Sequence, residues 1–206
     1  GGGSVLYGGN AIAGTINIIT KEPIQNSFSL GTNLALTNYE TPDQTLNVNG
    51  SVVSDDFKKG MTYYAYQRNR KPWDANDDGF SEQTLLKNTT FGFDAFWETS
   101  DRSKLKLNAF SINEFRRGGN KFDLPAHQTD VTEQLDHKIL GGALSFEQSS
   151  SDLKHKFSVF TSAQTANRDS YYGGGGRILE SGDQLTDADI MAINAYGNSN
   201  DIAIVV

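Results

Sequence analysis

An all-β chain, an antiparallel up-and-down meander, is what this sequence predicts. Three observations lead there. Glycine occurs 21 times in 206 residues, above the usual share of about 7%. Twelve Phe, eight Tyr and two Trp accompany it, and aromatic residues favour strands. Apolar and polar residues alternate at period two over most of the chain, and the links between the alternating runs are short and long by turns.

The strands follow in order. Phe28, Leu30, Leu34 and Leu36 share one parity, and Ser29, Gly31, Asn33, Ala35 and Thr37 the other. Leu46, Val48 and Val52 then oppose Asn47, Asn49 and Ser51. Aromatics crowd both faces between Tyr63 and Arg70. Phe91, Phe93, Ala95 and Trp97 alternate with Thr90, Gly92 and Asp94. Leu105, Leu107 and Ala109 alternate with Lys106 and Asn108. Leu140, Leu144 and Phe146 share a face with Gly142, and Phe157 and Val159 continue the series. Asp201 to Val206 reads as the start of an eighth strand.

A soluble β-sandwich also alternates, so the links must discriminate. Those around Ser54–Gly60, Thr99–Ser103 and Ser149–Asp152 are short, whereas Lys71–Lys87, Arg116–Gln134 and Arg168–Asn200 are long. Sorting of loop length by parity is the habit of outer-membrane barrels, whose turns are short on one side and long on the other. On that reading the apolar parity faces lipid, and Asn47, Asn49, Asp94 and Asn108 face a wet interior. Tyr63, Tyr64, Tyr66, Phe91, Trp97, Tyr171 and Tyr172 are then expected near the membrane boundary, where amphipathic rings are favoured. No run of about 18 apolar residues marks a membrane helix, which leaves a barrel open because barrel strands show only alternation.

Composition excludes other classes. There is no Cys, so neither a disulfide framework nor a Cys-ligated metal is available. A formal charge of −7 argues against a nucleic-acid partner. No signal peptide opens the chain.

The first 23 residues, GGGSVLYGGNAIAGTINIITKEP, are more specific. Gly8, Gly9 and Gly14 suit tight turns, Thr15–Thr20 reads as a β-branched strand, and Pro23 stops it. A phosphate loop is not supported, because G-x-G-x-x-G is missing and no helical period follows. Ser4, Leu6, Tyr7, Gly8, Ala11, Gly14, Ile16, Asn17, Ile18, Thr20, Lys21 and Pro23 stand in one register. This stretch resembles the segment that closes the plug domain of TonB-dependent outer-membrane receptors and leads into their barrel. The resemblance implies that residues 1–23 end a plug and that residues 24–206 begin a transmembrane barrel with about seven or eight of its strands. It implies active uptake across the outer membrane of a Gram-negative cell, of a metal chelate such as a ferric siderophore or cobalamin. It also implies a TonB complex acting through a more N-terminal box, and contacts with outer-membrane lipid and lipopolysaccharide. Haem and glycan receptors share the framework.

Candidate site residues lie mostly in the long links. Asp74, Asn76, Asp78 and Gly79 match the opening D-x-N-x-D-G of a calcium loop, in which alternate side-chain oxygens converge and glycine permits the turn. Leu85 stands where the bidentate Glu of an EF-hand belongs, and Glu82 is the nearby substitute. A solvated acidic turn is the competing reading. Arg116 and Arg117 suit an anionic ligand, or equally a lipopolysaccharide phosphate or an internal ion pair. The stretches 114–125 and 168–174 resemble external-loop motifs of metal-chelate receptors, which adds Tyr171 and Tyr172 as ligand-binding candidates. Of the three histidines, only His127 falls on an expected external loop, with His137 and His155 near strand ends; this disfavours haem. G-x-S-x-G and H-E-x-x-H are absent, so no enzymatic reading is supported and no cofactor beyond structural calcium is expected. A passive channel and a soluble β-rich binding or adhesion protein remain the competing classes.

Overall fold

The computed structural model describes residues 20–205. Most of the segment resembling a plug end therefore lies outside the described residues, as does the strand expected over Thr15–Thr20 apart from its last residue. Eight strands make one antiparallel sheet in sequence order. They are β1 (Ser27–Thr37), β2 (Thr41–Val53), β3 (Lys59–Arg70), β4 (Leu85–Ser100), β5 (Ser103–Gly119), β6 (Thr132–Ser149), β7 (Lys156–Gly173) and β8 (Tyr196–Val205). The meander is as expected. The sheet is open, with β1 and β8 as its edges.

The strands are longer than alternation suggested. Strands β4 to β7 run 16 to 18 residues, and the long links shrink to residues 71–84, 120–131 and 174–195. Arg116, Arg117 and Arg168 to Gly173 are thus strand residues and not loop residues. The physical reason is that ladder pairing uses only the backbone, so charged and glycine residues can extend a strand beyond its apolar stretch. An unforeseen helix, α1 (Asp187–Asn194), sits in the last long link. The first link, residues 38–40, breaks the alternation of lengths, because it is tight yet lies at the long-link end. Asn38 and Tyr39 both take positive φ, 50° and 63°, the backbone of a type I′ turn.

Two short turns at the opposite end are near copies. In Ser54–Lys59, the Ser54 hydroxyl donates to Asp56 Oδ1 at 2.6 Å, the Lys58 amide donates to the same oxygen at 3.0 Å, and Phe57 sits at φ 55°. In Ser150–His155, Ser150 and the Lys154 amide do the same to Asp152, at 2.5 and 3.2 Å, with Leu153 at φ 57°. The serine hydroxyl and then the lysine amide hold each aspartate below its ordinary pKa.

The register runs across all eight strands, with one shift between Glu98 and Ser100 among the described residues. It places Phe28, Leu30, Leu34, Leu36, Leu46, Val48, Phe91, Phe93, Trp97, Leu105, Leu107, Leu140, Leu144 and Phe146 on one face. Asn47, Asn49, Asp94 and Asn108 fall on the other. The apolar face is uncovered among the described residues: Leu30 is 60%, Leu140 61% and Ile202 69% exposed. The polar face is not empty. Thr20, Lys21, Glu22 and Pro23 lie across its short-turn end, around a cleft of about 180 Å³ lined also by Thr62, Asp94, Phe96, Lys106 and Phe160. Glu22 pairs there with Lys104 at 2.9 Å and Lys106 at 3.2 Å. Burial works against the Glu22 carboxylate, but the two ammonium groups outweigh it and its pKa falls below the ordinary value.

Aromatic rings on the polar face lie over glycines of the neighbouring strand. Tyr64 covers Gly92, Phe96 covers Gly60 and Phe110 covers Gly141, each a direct cross-strand pair. A Cβ at Gly92 would collide with the Tyr64 ring and hydroxyl. Gly92→Ala is therefore expected to cost about 1–3 kcal/mol by overpacking. Tyr64→Ser in the same chain should recover most of it. Urea melts of the four proteins of this cycle measure the coupling, and simple additivity would show that the ring does not need the glycine.

Candidate functional site

The link between β3 and β4 is built as a closed loop. Trp73 and Gln83 exchange backbone hydrogen bonds at 3.0 and 3.1 Å, bringing its two arms together. Below that closure the sequence D-A-N-D-D-G caps its own amides. Asp74 accepts from the Asn76 amide at 3.2 Å and the Gly79 amide at 2.7 Å. Asn76 accepts from the Asp78 amide at 3.2 Å, and Asp78 from the Phe80 amide at 2.9 Å. These side-chain turns require left-handed backbone at Asp77 (φ 60°) and Gly79 (φ 89°). Glu82, on the return arm, accepts from the Ala75 amide at 2.6 Å.

Asp74, Asp78 and Glu82 each bring one carboxylate oxygen within 4.8 Å of the others. Asn76 donates its side-chain amide to Asp78 at 3.1 Å, so it supports this group from the side. The loop is moored to the sheet: Ser81 pairs with Gly119, Lys71 with the Pro42 carbonyl, and Gln83 with the Thr37 hydroxyl at 3.3 Å.

The two arginines expected to act as a pair point apart, as neighbours on a strand must. Arg116 is on the polar face, with Glu114 at 2.9 Å. Arg117 is on the apolar parity, 7% exposed, beneath the 120–131 link. It donates to the Leu124 and Lys121 carbonyls at 2.7 and 3.3 Å and stacks on Phe122. Tyr171 and Tyr172 divide the same way. Tyr171 is fully buried against Tyr196, at 4.7 Å between ring centroids, and Tyr172 is 57% exposed on the polar face. Arg117 therefore holds the 120–131 link in place and Tyr171 packs within the β7–β8 pair, while Arg116 and Tyr172 remain accessible.

The aromatics expected at a boundary are also redistributed. Tyr63, Tyr64 and Tyr66 sit in the middle of β3, with Tyr64 and Tyr66 on the polar face. Trp97 does lie near its strand's end, beside the Lys59 ammonium at 5.2 Å. His127 is taken up by Tyr196, its Nδ1 lying 3.2 Å from the hydroxyl. The register also brings Arg68, Arg70, His137 and Arg168 to the same two rungs as Arg116. Arg68 and Arg70 did not stand out in the sequence, Arg168 entered only as the start of the 168–174 stretch, and His137 only as a histidine near a strand end. Parity within a strand was visible there, but the offset between strands was not.

No protein-family model, curated protein or solved structure matches the chain.

The 174–195 link is ordered by one carboxylate. Thr186 and Asp189 form a reciprocal capping box at the start of α1, and Arg177 reaches Asp189 at 3.1 Å. The Thr186 backbone and hydroxyl, then Arg177, hold the Asp189 pKa at about 2. A depressed carboxylate contributes stability above its unfolded value and loses it as pH falls through the folded one. The link should therefore loosen as pH drops from about 4 towards 2. Asp189→Asn should loosen it at neutral pH. Limited proteolysis around Met191, against cleavage within the strands, reads both; equal cleavage in variant and parent would show that the box does not order the link.

Proposed function

We propose that this sheet is one wall of an outer-membrane β-barrel that acts as a TonB-dependent receptor for a scarce nutrient, a metal chelate such as a ferric siderophore or cobalamin. The observation that carries the membrane reading is the shape of the apolar belt. The Leu30–Val48–Ala65–Phe91 rung, which continues to Leu140 and Thr165, gives a common reference. On β1 the apolar side chains run from Phe28 to Leu36, centred on the long-link side of that rung. On β4 they run from Phe91 to Trp97, centred on its short-turn side, and on β7 from Phe157 to Ala163, further still in the same direction. The belt thus slides by about one residue for each strand crossed. With about 3.3 Å per residue and about 4.8 Å between strands, its slope against the rungs is about 35°. Barrel strands tilt by about 35–45°, so this belt becomes level when the strands take their place in a barrel. A soluble sandwich has a second layer to bury such a face and no cause to slant it.

Two further observations support the receptor class over a passive channel. The stretch resembling a plug end leads into Thr20–Pro23, which lies on the polar face, the interior of the barrel on this reading. Glu22 is fastened there by two lysines. The long links and the accessible Arg116 and Tyr172 share the end opposite the Ser54–Lys59 and Ser150–His155 turns, which makes that end external on this reading.

The acidic loop is then an external calcium site. Asp74, Asp78 and Glu82 supply carboxylates, and a bound cation offsets the repulsion of Asp74, Asp77, Asp78 and Glu82, four like charges in nine residues. Calorimetry on the full-length receptor should find calcium at a Kd of about 10⁻⁴–10⁻³ M, lost in Asp74→Asn with Asp78→Asn. Heat-silent titration of the parent protein would leave a solvated turn.

Leu144 is central to the belt on β6, and Lys138 is beyond it. Leu144→Arg should cost about 2–4 kcal/mol in a bilayer, and Lys138→Ala less than about 1. Folding of both variants into lipid vesicles measures this, and a tolerated Leu144→Arg would remove the membrane reading. Uptake by cells carrying the full-length receptor should stop when TonB is deleted; uptake that persists would mean a channel.

A further inference from the structure

Two adjacent rungs of the polar face, at the external end, gather guanidinium groups. One runs Thr45–Arg68–Asn88–Glu114–His137–Arg168–Ser199. The next runs Asp43–Arg70–Leu86–Arg116–Leu135–Ser170–Gly197. Four arginines thus share these rungs with two carboxylates, in a chain whose formal charge is −7. Glu133, beside Tyr172 on the following rung, and Asp201, opposite Ala166 on the preceding rung and diagonal to Arg168, are the nearest further acids of that face, and neither forms an ion pair with these arginines.

The two carboxylates are already engaged. Asp43 accepts both Nε and Nη2 of Arg68. Glu114 is divided between Arg116 and the Asn88 amide, at 2.9 and 3.0 Å. Arg70 and Arg168 have no carboxylate partner among the described residues. Arg70 donates to the Thr84 carbonyl and hydroxyl at 3.0 and 2.8 Å. Arg168 donates Nε to His137 Nε2 at 3.0 Å. That contact makes Nε2 an acceptor and leaves the ring proton on Nδ1. His137 therefore orients Arg168 without neutralising it, and the planar end of Arg168 stays open to solvent on an exposed residue.

We infer that this arginine shelf binds the cargo, and that the cargo is a multiply anionic chelate whose ligating groups are carboxylates or catecholates. The inference rests on the receptor reading and narrows its substrate. Guanidinium forks match such oxygens in pairs. Arg116 and Arg168 stand two strands and one rung apart, so their backbones are about 12 Å from each other, a span that a small chelate bridges. An uncharged trihydroxamate or a glycan would leave the two unpaired guanidinium charges without compensation. Arg70 is the inner member, held by Thr84 at the foot of the acidic loop.

The test uses the full-length receptor and two probes, the trianionic ferric tris-catecholate of a dihydroxybenzamide and a neutral ferric trihydroxamate. Intrinsic fluorescence quenching gives each affinity. The trianion should bind at least tenfold more tightly than the neutral probe, with affinity falling as salt rises. Arg168→Gln and Arg70→Gln should each weaken trianion binding about tenfold and leave the neutral probe unchanged. Arg168→Lys should recover part of the loss. Lys106→Gln, on the same face at the opposite end, serves as the control and should change neither affinity. Equal affinity for the two probes, no binding of the trianion, or indifference to both arginine substitutions overturns the inference. If the trianion binds through these arginines while uptake ignores TonB, the shelf stands and the receptor reading falls. If a neutral chelate enters through TonB and the trianion does not bind, the reverse holds.

Discussion

Register is the constraint on which everything else in this molecule depends. A single-layer sheet has no second layer to bury a misplaced side chain. One residue of slip would carry a whole strand's apolar set to the opposite face. Here pairing continues from Ser27 to Val205 with one local shift at Glu98/Ser100. That continuity produces an apolar face, a polar face, and an end where the long links gather. Glycines under Tyr64, Phe96 and Phe110 help to hold it, because each ring fits only where its partner strand leaves room.

What could be read from the sequence was whatever is local to one strand or one turn. Phe91, Phe93 and Trp97 alternate with Gly92 and Asp94 inside a single segment, so their shared face was visible. The D-x-N-x-D-G turn was visible for the same reason, since each of its side chains bonds an amide two to five residues away. Glu82 was identifiable by proximity, but its position opposite Asp74 depends on the Trp73–Gln83 closure. The strands extend past their expected ends where charge and glycine continue the ladder, as at Arg116–Gly119 and Arg168–Gly173. Adjacent arginines and adjacent tyrosines looked like pairs and are instead divided between faces. The capping residues of α1, Thr186 and Asp189, were present as a signal but were hidden in a stretch read as one long link.

The long-link end combines two kinds of group with opposite charge. The acidic loop collects carboxylates above the edge of the sheet, and the arginine rungs lie just below it on the polar face. Arg70 joins them, since Thr84, its hydrogen-bond partner, is the last residue of that loop's link. Movement of the loop would reach the shelf through this contact. Buried Arg117 plays a similar part on the other face, where carbonyls of the 120–131 link surround its guanidinium.

The twin turns at Ser54–Lys59 and Ser150–His155 bear on how the sheet comes together. Each closes on itself through a serine, an aspartate and the amide of the lysine two residues on. Loop closure costs more as the loop lengthens, and a hairpin forms in about 1–10 μs. The tight-turned units β1–β2–β3, β4–β5 and β6–β7 are therefore the natural early ones, each complete before the links of residues 71–84, 120–131 and 174–195 join it to the next. Assembly then proceeds by adding hairpins side by side, an order that pulse labelling of backbone amides reads directly. Lengthening a long link would slow the joining of units without disturbing the units themselves.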